Sequence, residues 1–379
     1  MNWPLMRNTV SFSDKLKLCK FILQTNRFTQ GSKVIEFESA WNSWLGSKYS
    51  LFVNSGSSAN LLLLDAITEY YKIPKGSKVL VPATTWTTTV SPIVQLGFTP
   101  IFCDVDLYNF GFDYNDLVKI SKEHQDIKVV FVAHLLGLRA PIENYKKLFP
   151  SAVFIEDVCE SHGISKNKIK QGSDTVGSTF SFYFGHHMTT IEGGMVSTNN
   201  KEIYNLLKMK RSHGLSRESL YHKKYSEENA DIDPQFLFVT LGYNFRNSEL
   251  NAVLGLLQLD KLNSFILERR KNYNKFLSLL DSNKFLIPES QESENSSFCL
   301  PFLCKEQGTK ETLKNKFLAS GIEYRPIIAG NLLSHPAYSA YTSFKRNANF
   351  LHSRGLYIGN NQFLTNKDFS LLKEILKDI

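Results

Sequence analysis

Residues 49–71 read YSLFVNSGSSANLLLLDAITEYY, and the change of pattern inside them decides the fold class. A short apolar run of strand length comes first, then a Gly/Ser turn, then an apolar stretch of helical length. Working outward, KVLVPATTW (78–86) and TPIFCDVD (99–106) read as further strands, as do KVVFVAHLLG (128–137) and AVFIEDV (152–158). The last two are separated by the helical stretch APIENYKKLF (140–149). Strand–helix alternation of this kind implies an α/β protein whose mostly parallel sheet is covered on both faces.

Residues 247–280, NSELNAVLGLLQLDKLNSFILERRKNYNKFLSLL, are periodic in apolar residues and read as a helix or a helix pair. A polar loop, PESQESENSSFCLPFL (288–303), then runs into another strand. The expected division is a large domain over 10–250 and a smaller C-terminal α+β domain over 251–379, with segment 1–9 joining the smaller one.

The chain has 379 residues, 42% of them hydrophobic, and a formal net charge of +8. That length suits one large and one smaller domain. The basic charge is scattered, without the Lys/Arg block of a nucleic-acid stripe, so a basic surface and a small anionic substrate fit it better. No run reaches the roughly eighteen apolar residues of a membrane span, and MNWPLMRNTV lacks a secretory apolar core. The five cysteines, Cys19, Cys103, Cys159, Cys299 and Cys304, form no CxxC pair. A reducing cytoplasm is expected, with neither membrane nor nucleic acid as partner.

Three stretches carry chemistry. NSGSSAN (54–60) lies between strand and helix, where small residues admit a ligand and free helix N–H groups suit a phosphate. An ordinary turn reads the same way. IEDVCESHG (155–163) puts Asp157 and Glu160 at the carboxyl end of a strand, where α/β sheets bind ligands. A carboxylate there can pair with a protonated pyridine nitrogen, or merely cap a helix. Trp86 ends another strand and can stack on an aromatic ligand or belong to the core.

The third stretch is FSFYFGHHMTTIEGG (180–194). Ser181 is a candidate phosphate ligand, and Gly193–Gly194 is expected to form a tight turn into the strand MVST. His186 and His187 are adjacent, without HxxxH or HExxH spacing, which argues against a metal.

Together these motifs resemble the DegT/DnrJ/EryC1/StrS family of sugar aminotransferases. The likeness runs from FTQGSKVIEFESAWNSWLGSKYSLFVNSGSSANLLLL to GIEYRPIIAGNL, with RSHG, GYNFRNSELNAVLGLLQLDKL and RRKNY in the family's order. The resemblance implies a fold-type I, aspartate aminotransferase-like architecture and a pyridoxal/pyridoxamine phosphate cofactor. It assigns Gly56, Ser57 and Ser181 to the cofactor phosphate, with Asn244 reaching that phosphate from the other subunit of a homodimer. It places Trp86 on the pyridine ring, Asp157 at its nitrogen, and Glu160 near its hydroxyl and the reacting sugar. His213, Arg217 and Arg325 become candidates for substrate or glutamate contacts.

One position departs from the family pattern. The family's cofactor-tethering lysine lies six residues before the glutamate of EGG, and six before Glu192 stands His186. The resemblance links a histidine here to 3-dehydration of a nucleotide-linked 4-keto-6-deoxyhexose, with GDP-4-keto-6-deoxy-D-mannose as the expected substrate. It implies deoxysugar synthesis for a surface polysaccharide, such as the O-antigen sugar colitose. Related cluster-bearing enzymes need grouped cysteines, so no iron–sulfur cluster is expected. An imidazole can move protons but cannot hold the cofactor covalently. The cofactor is therefore expected to be non-covalent, with glutamate regenerating its amine form. Two alternatives stay open: an aminotransferase that tolerates histidine, and an inactive relative that binds a nucleotide sugar.

Overall fold

The computed structural model describes residues 3–341, 343–377 and 379. The first half of the chain supplies β1 (Tyr49–Val53), β2 (Lys78–Pro82), β3 (Thr99–Cys103), β4 (Val129–Ala133) and β5 (Val153–Asp157). A short hairpin follows, β6 (Ser165–Lys166) and β7 (Ile169–Lys170), and then β8 (Gly177–Ser181) and β9 (Gly194–Thr198). Apart from the hairpin these strands form a 7-stranded sheet in the order β1-β9-β8-β5-β4-β2-β3. Its strands are parallel except β9, which runs against both neighbours, β1 and β8.

Period-2 alternation sorts the strand residues between two helical layers. Val129 and Phe131 of β4 share a core cluster with Val79, Val81, Leu62, Leu63 and Ile93. Val130 and Val132 turn to the other face and meet Leu80, Leu117, Ile120 and Tyr145. Every residue of β4 is buried, as a strand covered on both sides requires.

The periodic stretch after residue 247 forms one unbroken helix, Glu249–Leu277, capped by Ser248, whose Oγ accepts from the Asn251 N–H. Beyond it lies an antiparallel sheet of β10 (Phe285–Leu286), β11 (Cys299–Cys304), β12 (Tyr324–Pro326) and β13 (Gly355–Gly359), in the order β10-β11-β13-β12. The N-terminal segment lies along this sheet. Trp3 donates its backbone N–H to Gly321 and its indole N–H to the Gly359 carbonyl, each at 2.9 Å. Asp104, just after β3, accepts from the backbone N–H groups of Asn347 and Ala348 and caps the helix Arg346–Arg354. Among the described residues, no helix is long and apolar enough to cross a membrane.

The turn before β9 differs from expectation. The left-handed backbone belongs to Ile191, at φ 72°, and not to Gly193 or Gly194. Gly194 is required for a different reason: a Cβ there would stand 2.3 Å from the Ser55 carbonyl oxygen. The glycine lets β9 close on the start of the helix Gly56–Tyr70.

Candidate active site

The carboxyl ends of the parallel strands open into a cavity of about 600 Å³, within the usual range for a small-molecule site. Ser55 and Gly56 reach it from β1, Trp86 from β2, His134 from β4, Asp157 from β5 and Ser181 from β8. Segments far apart in sequence converge because the strand ends are side by side.

Ser55 caps the helix Gly56–Tyr70, its Oγ accepting from the Ser58 N–H at 3.0 Å. The N–H groups of the first turn have no intrahelical partner, which suits an anion. A Cβ on Gly56 would lie 2.6 Å from the Ser181 Cβ and 3.0 Å from the Cys159 Sγ. Only glycine lets the helix start against β8, and Ser57 and Ser181 then border the same corner of the cavity.

Asp157 is 7% exposed. Its Oδ2 accepts from the Asn60 amide and the Thr89 hydroxyl, each at 2.8 Å. Its Oδ1 accepts from the Cys159 N–H at 3.0 Å. Three donors fix the orientation of the carboxylate, an arrangement that suits a cationic N–H partner. Asn60 and Thr89 are functional positions that the motif reading passed over. Asn60 follows Gly56 by four residues, which places both on one helix face, so that spacing was the available signal.

Glu160 is half-buried, and its Oε2 accepts from the Leu136 N–H at 3.1 Å. Burial pushes its carboxyl up to about 7; the Leu136 bond opposes this and the Asp157 charge adds to it. His186 sits on the connection between β8 and β9. Its Nδ1 contacts the Cys159 carbonyl. A carbonyl only accepts, so Nδ1 carries the hydrogen and Nε2 keeps the lone pair. Burial is the main cause that brings the imidazole down to about 4, with the Cys159 bond and the Asp157 charge opposing it. The ring is thus neutral near pH 7.

His187 does not face the cavity. It is fully buried, donating from Nε2 to the Ser296 carbonyl at 2.8 Å, with its Nδ1 3.2 Å from the Nδ1 of His162. No lysine is among the described residues lining the cavity.

Arg325 borders the cavity from β12, and Trp86 stands over it, 55% exposed. Leu5 and Met6 add a wall that nothing in the sequence signalled. A Cβ on Gly185 would lie 2.1 Å from the Met6 Sδ, so the N-terminal segment rests directly on the histidine loop. Asn244, His213 and Arg217 lie outside the cavity of a single chain and are exposed. Arg246 donates to Asn244 at 3.2 Å and approaches the His213 ring at 3.4 Å.

The donor set fits pyridoxal or pyridoxamine phosphate. A glycine-opened helix N-terminus and two serines would suit its phosphate, a fixed carboxylate would suit its ring N–H, and an exposed indole offers a stacking surface. The sheet order, its single reversed strand and this cradle define the architecture of aminotransferase-fold pyridoxal phosphate enzymes. The model of the DegT/DnrJ/EryC1/StrS aminotransferase family matches residues 12–376, and the chain belongs to that family.

The chain is 34% identical over 391 residues to the GDP-4-keto-6-deoxy-D-mannose 3-dehydratase of Yersinia pseudotuberculosis, covering 100% of this chain and 98% of that one. A crystal structure of a GDP-4-keto-6-deoxymannose-3-dehydratase mutant with bound GDP-perosamine aligns with a TM-score of 0.91 at 31% identity, covering 99% of this chain and 100% of the other. A structure of GDP-4-keto-6-deoxymannose-3-dehydratase with a trapped PLP-glutamate geminal diamine aligns at 0.90, with 31% identity and the same coverage.

Proposed function

We propose that the protein is a 3-dehydratase. It removes the C3 hydroxyl of a nucleotide-linked 4-keto-6-deoxyhexose, GDP-4-keto-6-deoxy-D-mannose, and leaves the 4-keto-3,6-dideoxy sugar. Its cofactor is non-covalent pyridoxamine/pyridoxal phosphate, with glutamate as amine donor. The observation that carries this reading is His186: an imidazole with a free Nε2 stands in the cofactor cradle, and the lining holds no lysine. The named relatives, 3-dehydratases similar along the whole chain, support it.

Gly56, Ser57 and Ser181 hold the phosphate, Asp157 the ring nitrogen, and Trp86 the ring face. When bound, the cofactor supplies an amine that condenses with the sugar ketone and a ring that disperses negative charge. Asp157 keeps its proton-bearing partner cationic. His186 would take up at Nε2 the proton given up by the cofactor's C4′ carbon and, as imidazolium, deliver it to the C3 hydroxyl, which departs as water. The depressed basicity of the ring makes the imidazolium a strong acid for the second step. Glu160, near 7, can hold or release a proton beside it at neutral pH.

In this reading two copies form a homodimer. Exposed Asn244 reaches the partner's phosphate site, and His213 and Arg217 are candidates for contacts with substrate or glutamate. Arg325 meets the nucleotide sugar within its own chain. The functional division is a cofactor domain over 10–250 and a small domain over 251–379 joined by 1–9, in a cytoplasmic enzyme.

The test offers GDP-, CDP- and dTDP-linked 4-keto-6-deoxyhexoses with pyridoxamine phosphate and glutamate. Ammonia plus a deoxy ketose from the GDP substrate is expected. An amino sugar instead would make the protein an aminotransferase. No turnover, with no spectral response to cofactor plus glutamate, would leave only a binding protein.

A further inference from the structure

Behind His186 runs a buried segment, 295–298, whose carbonyls are each taken by a different side chain. Arg270 donates to the Asn295 carbonyl, from Nε at 2.9 Å and from a terminal nitrogen at 2.7 Å. His187 Nε2 donates to Ser296 at 2.8 Å, the Asn360 amide to Ser297 at 3.2 Å, and Arg269 to Phe298 at 3.0 Å. From the other side, Ser296 N–H donates to the Gly137 carbonyl and Phe298 N–H to the Leu136 carbonyl, each at 2.9 Å. The fit is close: a Cβ on Gly137, whose φ is +83°, would lie 2.4 Å from the Ser297 nitrogen. Asn295, Ser296 and Ser297 are fully buried.

The segment presents one ring to the cavity. Phe298 lies against His186, ring centroids 5.5 Å apart and planes at 35°, and also touches the His187 ring at 6.1 Å. His186 is thus gripped at two points, by the Cys159 carbonyl at Nδ1 and by a phenyl ring on its side.

We propose that His187 and Phe298 are positioning residues for His186: His187 ties the histidine loop to segment 295–298, and Phe298 holds the imidazole with Nδ1 on Cys159 and Nε2 towards the cavity. This rests on the reading of His186 as the proton carrier. The ionisable groups about His186 are Asp157 and Glu160 from β5 and the turn after it, His162 from that same turn, Tyr183 and His187 from its own loop, and Arg269 from the helix Glu249–Leu277.

The experiment compares the full chain with His187→Leu, His187→Gln, Phe298→Leu and His186→Asn variants. Carbon-13 labelled histidine reports the His186 tautomer and titration without substrate, His186→Asn supplying the assignment. Turnover against pH is measured in parallel. The wild type is expected in the Nδ1–H form. Phe298→Leu and His187→Leu should mix tautomers and raise the titration towards the free-imidazole value. They should cut kcat on the order of ten- to a hundredfold with KM and cofactor affinity little changed. His187→Gln, which retains a donor, should recover most of kcat. Phe298→Leu is close in volume and gives the readout even where His187→Leu does not fold.

Wild-type tautomer, titration and kcat in Phe298→Leu, and in His187→Leu where it folds, would overturn the inference. Full turnover in His186→Asn would instead overturn the assignment of His186, which separates the two failures.

Discussion

The Nδ1 of His186 is bound to the carbonyl of Cys159, two residues beyond Asp157, whose carboxylate in turn accepts the Cys159 N–H. One peptide segment therefore orients both Asp157 and His186, the carboxylate and the imidazole on which the proposed mechanism relies. The hydrogen bond also leaves a single tautomer able to act.

Restoring the family's lysine tests that arrangement. His186→Lys should gain a covalent link to pyridoxal phosphate, seen as the long-wavelength absorbance of ordinary B6 enzymes and as loss of cofactor release on gel filtration. Dehydration should fall by about a hundredfold or more, the usual share of one acid–base group. Full dehydratase turnover in both His186→Lys and His186→Ala would remove the histidine from the mechanism.

Asp157→Asn keeps the shape but loses the charge. Turnover should drop steeply, by about a hundredfold, while pyridoxamine phosphate still binds through Gly56, Ser57 and Ser181. Equilibrium dialysis and initial rates separate the two effects. Unchanged rates would place the carboxylate elsewhere in the reaction.

Gly56→Ala puts a methyl group 2.6 Å from the Ser181 Cβ. Neither the β8 backbone nor the helix start has room to give. Cofactor affinity, followed by fluorescence titration, should fall at least tenfold, with about 1–3 kcal/mol of stability lost to overpacking. A variant with native affinity would argue against this corner as the phosphate site.

The pH dependence of stability has two arms of opposite sign. Glu160 is raised from 4.5 to about 7, so the folded state binds its proton more tightly than the unfolded chain. That contribution is present below 4.5 and lost as pH rises through about 7. Burial depresses His162, His186 and His187 from 6.5, so their contribution is present above 6.5 and lost as pH falls, for His186 through about 4. Glu160→Gln should therefore gain in Tm over the wild type as pH rises from about 4.5 to about 8. A Tm difference independent of pH would show that Glu160 is not held protonated.

What could be seen in the sequence is what lies near strand ends. Asp157, Ser181, Gly56 and Trp86 each follow or end a strand by at most four residues, so period-2 runs and turn residues locate them. The pairs that hold the site together are remote. His187 meets Ser296 109 residues later, and Asn60 meets Asp157 97 residues later. No local periodicity encodes such contacts, because they follow from how strands order themselves in the sheet. His187 illustrates the limit: beside His186 in the chain, it points the other way because the loop turns its back to the cavity. Gly193 and Gly194 read as turn formers, but at Gly194 the close approach of the Ser55 carbonyl is what excludes a side chain.

The histidine loop leaves from Ser181 and returns at Gly194, which are paired across adjacent antiparallel strands. Its two ends are thus fixed neighbours whatever the loop contains, like the terminals of a socket. A segment so anchored can be exchanged as a cartridge, its reactive side chain swapped while the surrounding scaffold keeps its shape. New reactions can then arise within this architecture by replacing one short insert.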